Sequence, residues 1–396
     1  MSWKETDPML ERCLFIEACL SGEETMAGLC RRFGISRKTG YEWLRRYEAL
    51  GAAGLSEQSR ARLSHANATP PQMEAAIIAL RQQRGWGPKK LAKLLLKDWP
   101  AEAIPSQSTI GDILKRNGLV KPRKARRRCT PSSEPLGHAV QSNRVWCADF
   151  KGWFLTGDKQ RVDPLTVTDA YSRYLLACQG MRGKTDTTHV MAVFETLFRS
   201  YGLPERIRTD NGPPFASTGL AGLSRLSVWW MRLGIVPERI EPGKPQQNGR
   251  HERFHLTLKN ETASPAAPTA RKQQRAFDAF QIVYNDERPH EALGQEVPAS
   301  RYTSSARSFP TRLPTPEYAD DMQTRRVRGA GQMKWSGSDV LVSQALSSQT
   351  IGLQPQDDGL WNVYFCTSCI GTFNERDRKV KPLKKSGKSP KSAESE

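Results

Sequence analysis

Residues 242–254 read Pro-Gly-Lys-Pro-Gln-Gln-Asn-Gly-Arg-His-Glu-Arg-Phe. The run places Glu252 about one turn into a helix, behind a flexible, amide-rich loop. Working outward, two aspartates stand upstream: Asp210 in Arg208-Thr209-Asp210-Asn211-Gly212, and Asp149 in Trp146-Cys147-Ala148-Asp149-Phe150. Three carboxylates far apart in sequence, each at a strand or helix position that can point to one place, can hold two divalent metal ions. In a strongly basic chain this points to phosphodiester chemistry on nucleic acid.

The chemistry requires residues of this kind. Attack on a phosphodiester needs an activated oxygen nucleophile, neutralised charge at phosphorus and a stabilised leaving oxygen, which two Mg²⁺ ions about 3.5–4 Å apart supply together. Hard cations take oxygen ligands, and Mg²⁺ keeps water and substrate oxygens beside a few carboxylates. Asp149 shares a strand face with Val145 and Cys147 under period-2 alternation, where a carboxylate is costly to bury unless paired or metal-bound. Asp210 sits at a strand exit, backed by Asn211-Gly212. Asn248, four residues before Glu252, and Lys259, seven after it, share its helix face and are candidate DNA contacts. Other carboxylates compete. Asp158 and Asp163 read as turn residues, Asp169 as a cap or a partner of Arg173, and Glu261 as a position near the helix end. Spacing alone leaves these alternatives open.

The totals favour the same class of partner. The 396 residues carry 60 Lys+Arg against 41 Asp+Glu, a net charge of +19, which calls for a polyanion and favours DNA or RNA over a membrane surface. No apolar run approaches the roughly 18 residues of a membrane span, and the start lacks the apolar segment of a signal peptide. The eight cysteines are scattered, as in a reducing cytoplasm. The one close pair, Cys366-Thr-Ser-Cys369, reads as two reduced thiols on a β-turn rather than half a zinc site.

Residues 1–66 read as a helix-turn-helix domain: helices opening at Leu10 and Glu24, Gly34 at the turn, and Ser36 capping a third helix that runs to Leu50. That third helix would enter the major groove with Arg37, Lys38 and Tyr41. Residues 67–130 hold a second helix-turn-helix, with Pro88 in a first turn, Ser106 as cap, and Gln107, Ser108 and Thr109 facing the groove. They also hold a basic linker: Lys115 to Arg128 carries eight Lys/Arg and no acid, so Arg126, Arg127 and Arg128 should hug phosphates. Residues 131–315 read as three antiparallel strands (145–154, 164–168, 174–179), then a helix closed at Gly202, a strand 205–209, a helix over 219–233, a strand 235–240 and the Glu252 helix. Residues 316–380 are short β runs, among them 327–329, 332–335, 340–342, 350–353 and 361–365, forming a small β-barrel. Residues 381–396, like the whole Lys/Ser-rich end from Lys379, read as a disordered basic tail. The fold class is multidomain α+β: helix-turn-helix domains, a central RNase H-like α/β core and a C-terminal barrel.

Four segments carry a resemblance. They are Trp146-x-x-Asp-Phe-Lys-Gly leading to Pro164-Leu-Thr-Val-x-Asp-x-Tyr-Ser-Arg-Tyr174, Thr209-Asp-Asn-Gly-Pro-Pro-Phe215, residues 242–254, and Tyr284-Asn-x-x-Arg-Pro-His290. In this order they resemble the catalytic core of bacterial insertion-sequence transposases of the retroviral-integrase type, over about residues 140–305. The resemblance implies that Asp149, Asp210 and Glu252 are the DDE triad, catalytic and metal-binding, with a separation of 42 positions between the last two. It implies Mg²⁺ (two ions, with Mn²⁺ as substitute), double-stranded DNA as partner (element ends and target), and at least a dimer on DNA. It also implies nicking at element ends followed by strand transfer, and a cytoplasmic, nucleoid-associated protein. The zinc domain of the retroviral branch is missing from the N-terminal segment. Tyr171, Ser172 and Tyr174 remain as alternative nucleophiles. The competing readings are a catalytically silent DNA-binding regulator derived from a transposase, and a structure-selective nuclease with the same fold.

Overall fold

Asp7, Thr25 and Ser36 each accept a backbone N–H two or three residues on, and so start the helices α1 (Pro8–Ser21), α2 (Met26–Arg32) and α3 (Arg37–Leu50). These caps correct two expected starts. Pro8 begins α1 earlier than Leu10, and Thr25 begins α2 later than Glu24. The computed structural model describes residues 7–57, 68–120, 139–183, 185–240, 249–356 and 359–383, and its chain divides into two units, 1–70 and 71–396. The first unit closes a small core of Phe15, Ile16, Leu29, Cys30 and Leu55. Gly40 permits the close packing of α3, since a β-carbon there would stand 2.7 Å from the Cys30 sulfur.

The second unit opens with α4 (Pro71–Arg84), α5 (Pro88–Leu95) and α6 (Gln107–Arg116), packed through Met73, Ile77, Leu91, Leu95, Ile110 and Leu114. Ser106 caps α6 as expected. The α5–α6 connection contains a 3-10 turn, Ala101–Ala103, so it is longer than the tight α2–α3 turn.

A mixed sheet follows: β1 (Val145–Phe150), β2 (Phe154–Leu155), β3 (Arg161–Asp169), β4 (Leu175–Met181), then α7 (Thr187–Tyr201), β5 (Arg206–Thr209), α8 (Arg225–Arg232), β6 (Val236–Arg239), α9 (Gly249–Thr262) and α10 (Ala270–Ile282). β3 pairs antiparallel with β1 and β4, while β5 runs parallel to β1 and β6 parallel to β5. Three antiparallel strands extended by two parallel ones, reached through helices, is the RNase H-like order. One sheet face packs Trp146, Ala148, Leu165, Val167 and Ile207 against α7 and α8. The other packs Val162, Leu175 and Cys178 against Phe254 and Leu258 of α9 and Phe277 and Phe280 of α10.

Three expectations change here. The first strand stops at Phe150, because the chain turns at Gly152 with φ +83°, a region glycine enters freely. The helix expected over 219–233 is only α8, since Ser224 and Ser227 form a capping box that starts it at Arg225. Asp163 is no turn residue: it lies inside β3, 5% exposed, and accepts two hydrogen bonds from Arg161 at 2.7 and 2.8 Å.

β4 is an edge strand, and α10 covers it with amides. Gln274 accepts from Gly180 N and donates to Cys178 O, Gln281 donates to Leu175 O and Leu176 O, and Asn285 accepts from Leu175 N at 2.8 Å and donates to Leu175 O at 2.9 Å. Side-chain amides of α10 and of Asn285, in the turn that follows it, thus bond part of the edge that a further strand would otherwise pair.

The C-terminal strands are β7 (Gln323–Arg326), β8 (Gln332–Trp335), β9 (Ser338–Leu341), β10 (Thr350–Pro355), β11 (Leu360–Phe365), β12 (Ser368–Asn374) and β13 (Lys379–Lys381). Five form one antiparallel sheet in the order β13-β12-β11-β10-β7, and the β8–β9 hairpin is its own two-stranded sheet over the same core. Packing rather than a continuous ladder therefore completes this small barrel. Leu220, Leu223, Val228 and Met231 join its core, so it rests on the α8 region. β7 lies before the expected 327–329 run, and β13 occupies residues expected in the tail; residues 384–396 lie outside the described ones. Among the described residues no helix is long and apolar enough to cross a membrane.

Candidate active site

Alternation on β1 sends Trp146 and Ala148 into the α7–α8 core, so Cys147 and Asp149 lie on the α9 face. β5 obeys the same rule. Ile207 is in the core and Arg208 pairs with Cys147 across the parallel ladder. Asp210 follows β5 directly, at the exit of the strand that runs parallel to β1 with Arg208 opposite Cys147. The Asp210 carboxylate accepts from Gly212 N at 3.2 Å, the tight turn that Asn211-Gly212 announced. Asp149 and Asp210 are both half-buried.

Glu252 lies in the first turn of α9 and is exposed. What ties α9 to this face is its histidines. Thr166, the register partner of Asp149, donates to Asp149 O at 3.2 Å, and its Oγ1 lies 2.8 Å from Nε2 of both His251 and His255. With the hydroxyl proton given to Asp149 O, both rings donate Nε2–H to the two lone pairs of Thr166. Burial pushes the His251 imidazole down to about 4, and burial together with the nearby His251 and Lys151 pushes His255 down to about 2, so both rings are neutral at pH 7. His251 is within the run quoted at the outset, but nothing in that run tells a buried helix anchor from a surface histidine.

The three carboxylates expected to converge stand on three elements: Asp149 in β1, Asp210 just past β5 and Glu252 in α9. Among the described residues, no group of three His, Cys, Asp or Glu side chains is placed to hold a metal ion. The donor chemistry nevertheless suits a hard divalent cation: two carboxylates at the ends of neighbouring strands and a third on the helix packed against the sheet.

The competing residues have structural work. Asp158 is in the β2–β3 turn and accepts from Thr156 Oγ1 at 2.5 Å. Asp169 is buried and accepts from Asn143 N, Ser172 N and Ser172 Oγ at 2.6–2.8 Å, which settles it as a cap. Glu261 pairs with Arg288. Among the alternative nucleophiles, Ser172 is spent on Asp169, and Tyr174 stacks on Tyr302 with centroids 4.4 Å apart. Cys366 is in the β11–β12 turn, but Cys369 is already in β12, and burial pushes the Cys366 thiol up to about 11.

The candidate DNA contacts are spread over several elements. Arg37 and Lys38 are exposed in the first turn of α3, and Tyr41 is 58% exposed. Gln107 and Ser108 are exposed at the start of α6, whereas Thr109 is half-buried with Oγ1 2.9 Å from the capping Ser106 hydroxyl. Lys259 is exposed near the end of α9, close enough to Lys151 that its charge, after burial, helps hold that ammonium below the usual lysine range. Asn248, Arg126, Arg127 and Arg128 lie outside the described residues.

These elements are those of an RNase H-like core preceded in the chain by helix-turn-helix modules, and comparison with known proteins agrees. Integrase core domain families match residues 139–245 and 233–298, a helix-turn-helix domain matches 11–62, a homeodomain-like domain matches 39–114, and the C-terminal domain of the IS481 family of transposases matches 322–381. A protein of insertion element IS476 of Xanthomonas euvesicatoria is 27% identical over 301 residues, covering 74% of this chain and 82% of its own. One from IS407 of Burkholderia multivorans is 27% identical over 240 residues, covering 58% and 82%. The solved catalytic core of the HTLV-2 integrase with magnesium is 17% identical and aligns with 41% of this chain and 99% of its own, at a TM-score of 0.33. The chain thus has an integrase-type core and a C-terminal domain of the kind found in IS481 family transposases, and is similar to insertion-element proteins.

Proposed function

We propose that this protein binds the ends of its element and catalyses metal-dependent nicking and strand transfer, joining those ends to target DNA by in-line attack of water and then of a 3′-hydroxyl. The observation that supports this reading is that Asp149 in β1, Asp210 at the exit of the neighbouring parallel strand β5 and Glu252 on α9 stand on adjoining elements of an integrase-type core. In this reading Asp149 and Asp210 hold Mg²⁺ or Mn²⁺, with Glu252 as the third carboxylate; a bound pair of such ions supplies the activated oxygen and charge neutralisation that phosphodiester attack needs. The protein's own part is to place the DNA. Arg37, Lys38 and Tyr41, with Gln107, Ser108 and Thr109, read the ends, Arg126, Arg127 and Arg128 hold phosphates, and Asn248 and Lys259 contact DNA beside the carboxylates. Joining two ends calls for at least a dimer on DNA, acting on the nucleoid.

A second reading, a catalytically silent regulator, is favoured by one observation: no three acidic side chains are gathered into a metal-holding group among the described residues. The two readings separate on labelled element-end DNA incubated with Mg²⁺ or Mn²⁺. We expect joining by the parent protein, and loss of joining by at least 100-fold, with end binding retained, in Asp149→Asn, Asp210→Asn and Glu252→Gln. Tight binding with no joining of pre-cut ends by the parent establishes the regulator.

A further inference from the structure

Helix α9 is joined to the sheet by more than apolar contact. Phe254 and Leu258 pack into the core beneath it, and such packing is non-directional, so it tolerates a turn of the helix about its axis or a slide along it. Hydrogen bonds tolerate neither, because they weaken steeply with angle. His251 and His255, four positions apart, stand one above the other on a single face of α9, with ring centroids 4.8 Å apart. Both bring Nε2 to 2.8 Å from one atom, Thr166 Oγ1. Two bonds from successive turns to one point fix rotation and axial place together.

The point at which they meet is itself fixed. Thr166 is fully buried in β3, opposite Asp149 in β1, and gives its own proton to Asp149 O at 3.2 Å. One hydroxyl thus joins the rung of the sheet that bears one carboxylate to the helix that bears another, for Glu252 stands in sequence between the two histidines. Glu252 is exposed in the first turn, so the reach of its carboxylate is decided by where the helix lies. The arrangement is costly. Three polar side chains are largely withdrawn from water where aliphatic ones would fill the same core, and loss of any one partner leaves the others unpaired. His251 is only 4% exposed, so water has little access to replace a lost bond. What such a network adds over apolar packing is a single geometry.

We infer that Thr166, with His251 and His255, is a positioning device for Glu252: it sets the rotation and axial place of α9 so that this carboxylate reaches a divalent cation held by Asp149 and Asp210. The inference rests on the proposed metal-dependent reaction, and its three residues act through Glu252 rather than on the DNA. Its first readout is metal binding, not chemistry. Mn²⁺ is titrated into the full chain without DNA and followed by electron paramagnetic resonance. Thr166→Val keeps the shape and removes the hydroxyl; it should weaken Mn²⁺ binding about tenfold, the loss expected when the support of a metal ligand is removed. Thr166→Ser should restore most of it. His255→Leu should behave as Thr166→Val does, and His255→Gln, whose amide can donate near the place of Nε2, should recover part of the loss. The decisive arm is the double variant. If Thr166 acts through Glu252, Thr166→Val adds nothing once Glu252→Gln has been made, whereas independent effects add.

In joining assays, Thr166→Val should lower the single-turnover rate roughly tenfold or more at limiting Mn²⁺, with unchanged affinity for the ends, and recover part of it at saturating Mn²⁺. Mn²⁺ affinity and joining equal to the parent in Thr166→Val overturn the device. So do losses that add in the double variant, or a defect that Thr166→Ser fails to restore, for then the hydroxyl serves the core alone. Should urea unfolding show that Thr166→Val does not fold, the two His255 variants decide the question by the same criteria. A parent that binds no Mn²⁺ leaves Glu252 with nothing to reach, and overturns the device and the proposed reaction together. Mn²⁺ binding that follows the variants, with no joining by the parent, removes the proposed reaction and leaves the device standing.

Discussion

At the scale of single residues, the imidazoles show how strongly burial governs this core. His290 packs edge-on against Tyr284, 4.7 Å between centroids, and its Nε2 is buried with no hydrogen-bond partner. Burial first, then the charges of Lys90 and Arg288, push it down to about 3. The unfolded chain takes a proton near the ordinary value of 6.5 and the native state does not, so the contribution is complete above pH 6.5 and lost as pH falls toward 3. His251 and His255 act with the same sign. Each such ring withdraws up to about 1.4 kcal/mol per pH unit within its window. His290→Asn, which cannot titrate, should therefore lose about 1–2 kcal/mol less than the parent between pH 7 and pH 5. Urea unfolding at the two pH values measures it, and identical losses would show that His290 is already protonated when folded.

At the scale of elements, α10 joins the smaller of the two cores flanking the sheet, and its cover of the β4 edge was the least legible. Its sequence, Ala-Arg-Lys-Gln-Gln-Arg-Ala-Phe-Asp-Ala-Phe-Gln-Ile, carries an apolar stripe of Ala270, Phe277 and Phe280 at helical spacing, which could have been read. What no period announces is that its half-buried glutamines Gln274 and Gln281 bond the backbone of β4. Asn285 stood in a quoted segment, yet only the structure shows it satisfying both backbone groups of Leu175. Asn285→Ala leaves a buried donor and acceptor unpaired and should cost about 2–4 kcal/mol, whereas the more exposed Gln274→Ala should cost about 1. Denaturant midpoints test this, and equal small losses would mean that water replaces the amide.

The elements that could be read were those whose signals are local. Ser36 and Ser106 cap their helices, period-2 strands carry Asp149 and Thr166, and Asn211-Gly212 makes its turn. What the chain concealed was long-range: the sharing of Thr166 by two histidines and the edge cover by the amides of Gln274, Gln281 and Asn285. The capping box of Ser224 and Ser227 was local and could have been found.

At the scale of the molecule, excess positive charge meets a local acidic belt. Glu287, Glu291 and Glu296, which follow α10, pair with Arg84, Lys89 and Lys93 of α4 and α5; the last pair is at 2.9 Å. Trp86 lies under Arg84, Lys90 and Arg288, and Val283 packs against the helical core. Burial, then the charge of Arg288, pushes the Lys90 ammonium down to about 8, so this seam already strains to hold its cations. Exposed ion pairs are worth about 0–1 kcal/mol each and are screened by salt, and each cation–π contact adds about 0.5–1. The attachment of α4–α6 to the core is therefore worth only a few kcal/mol, and a large part of it is electrostatic. Reversing two of the acids, Glu291→Lys with Glu296→Lys, replaces attraction by repulsion and should detach the helices at low salt. With one dye on α6 and another on α10, energy transfer in the full chain should fall for the double variant at 50 mM salt, and for the parent only as salt approaches about 0.5 M. Equal transfer in both proteins at every salt concentration would show that Trp86 and Val283 hold the joint by themselves. In that case the belt contributes solubility rather than attachment.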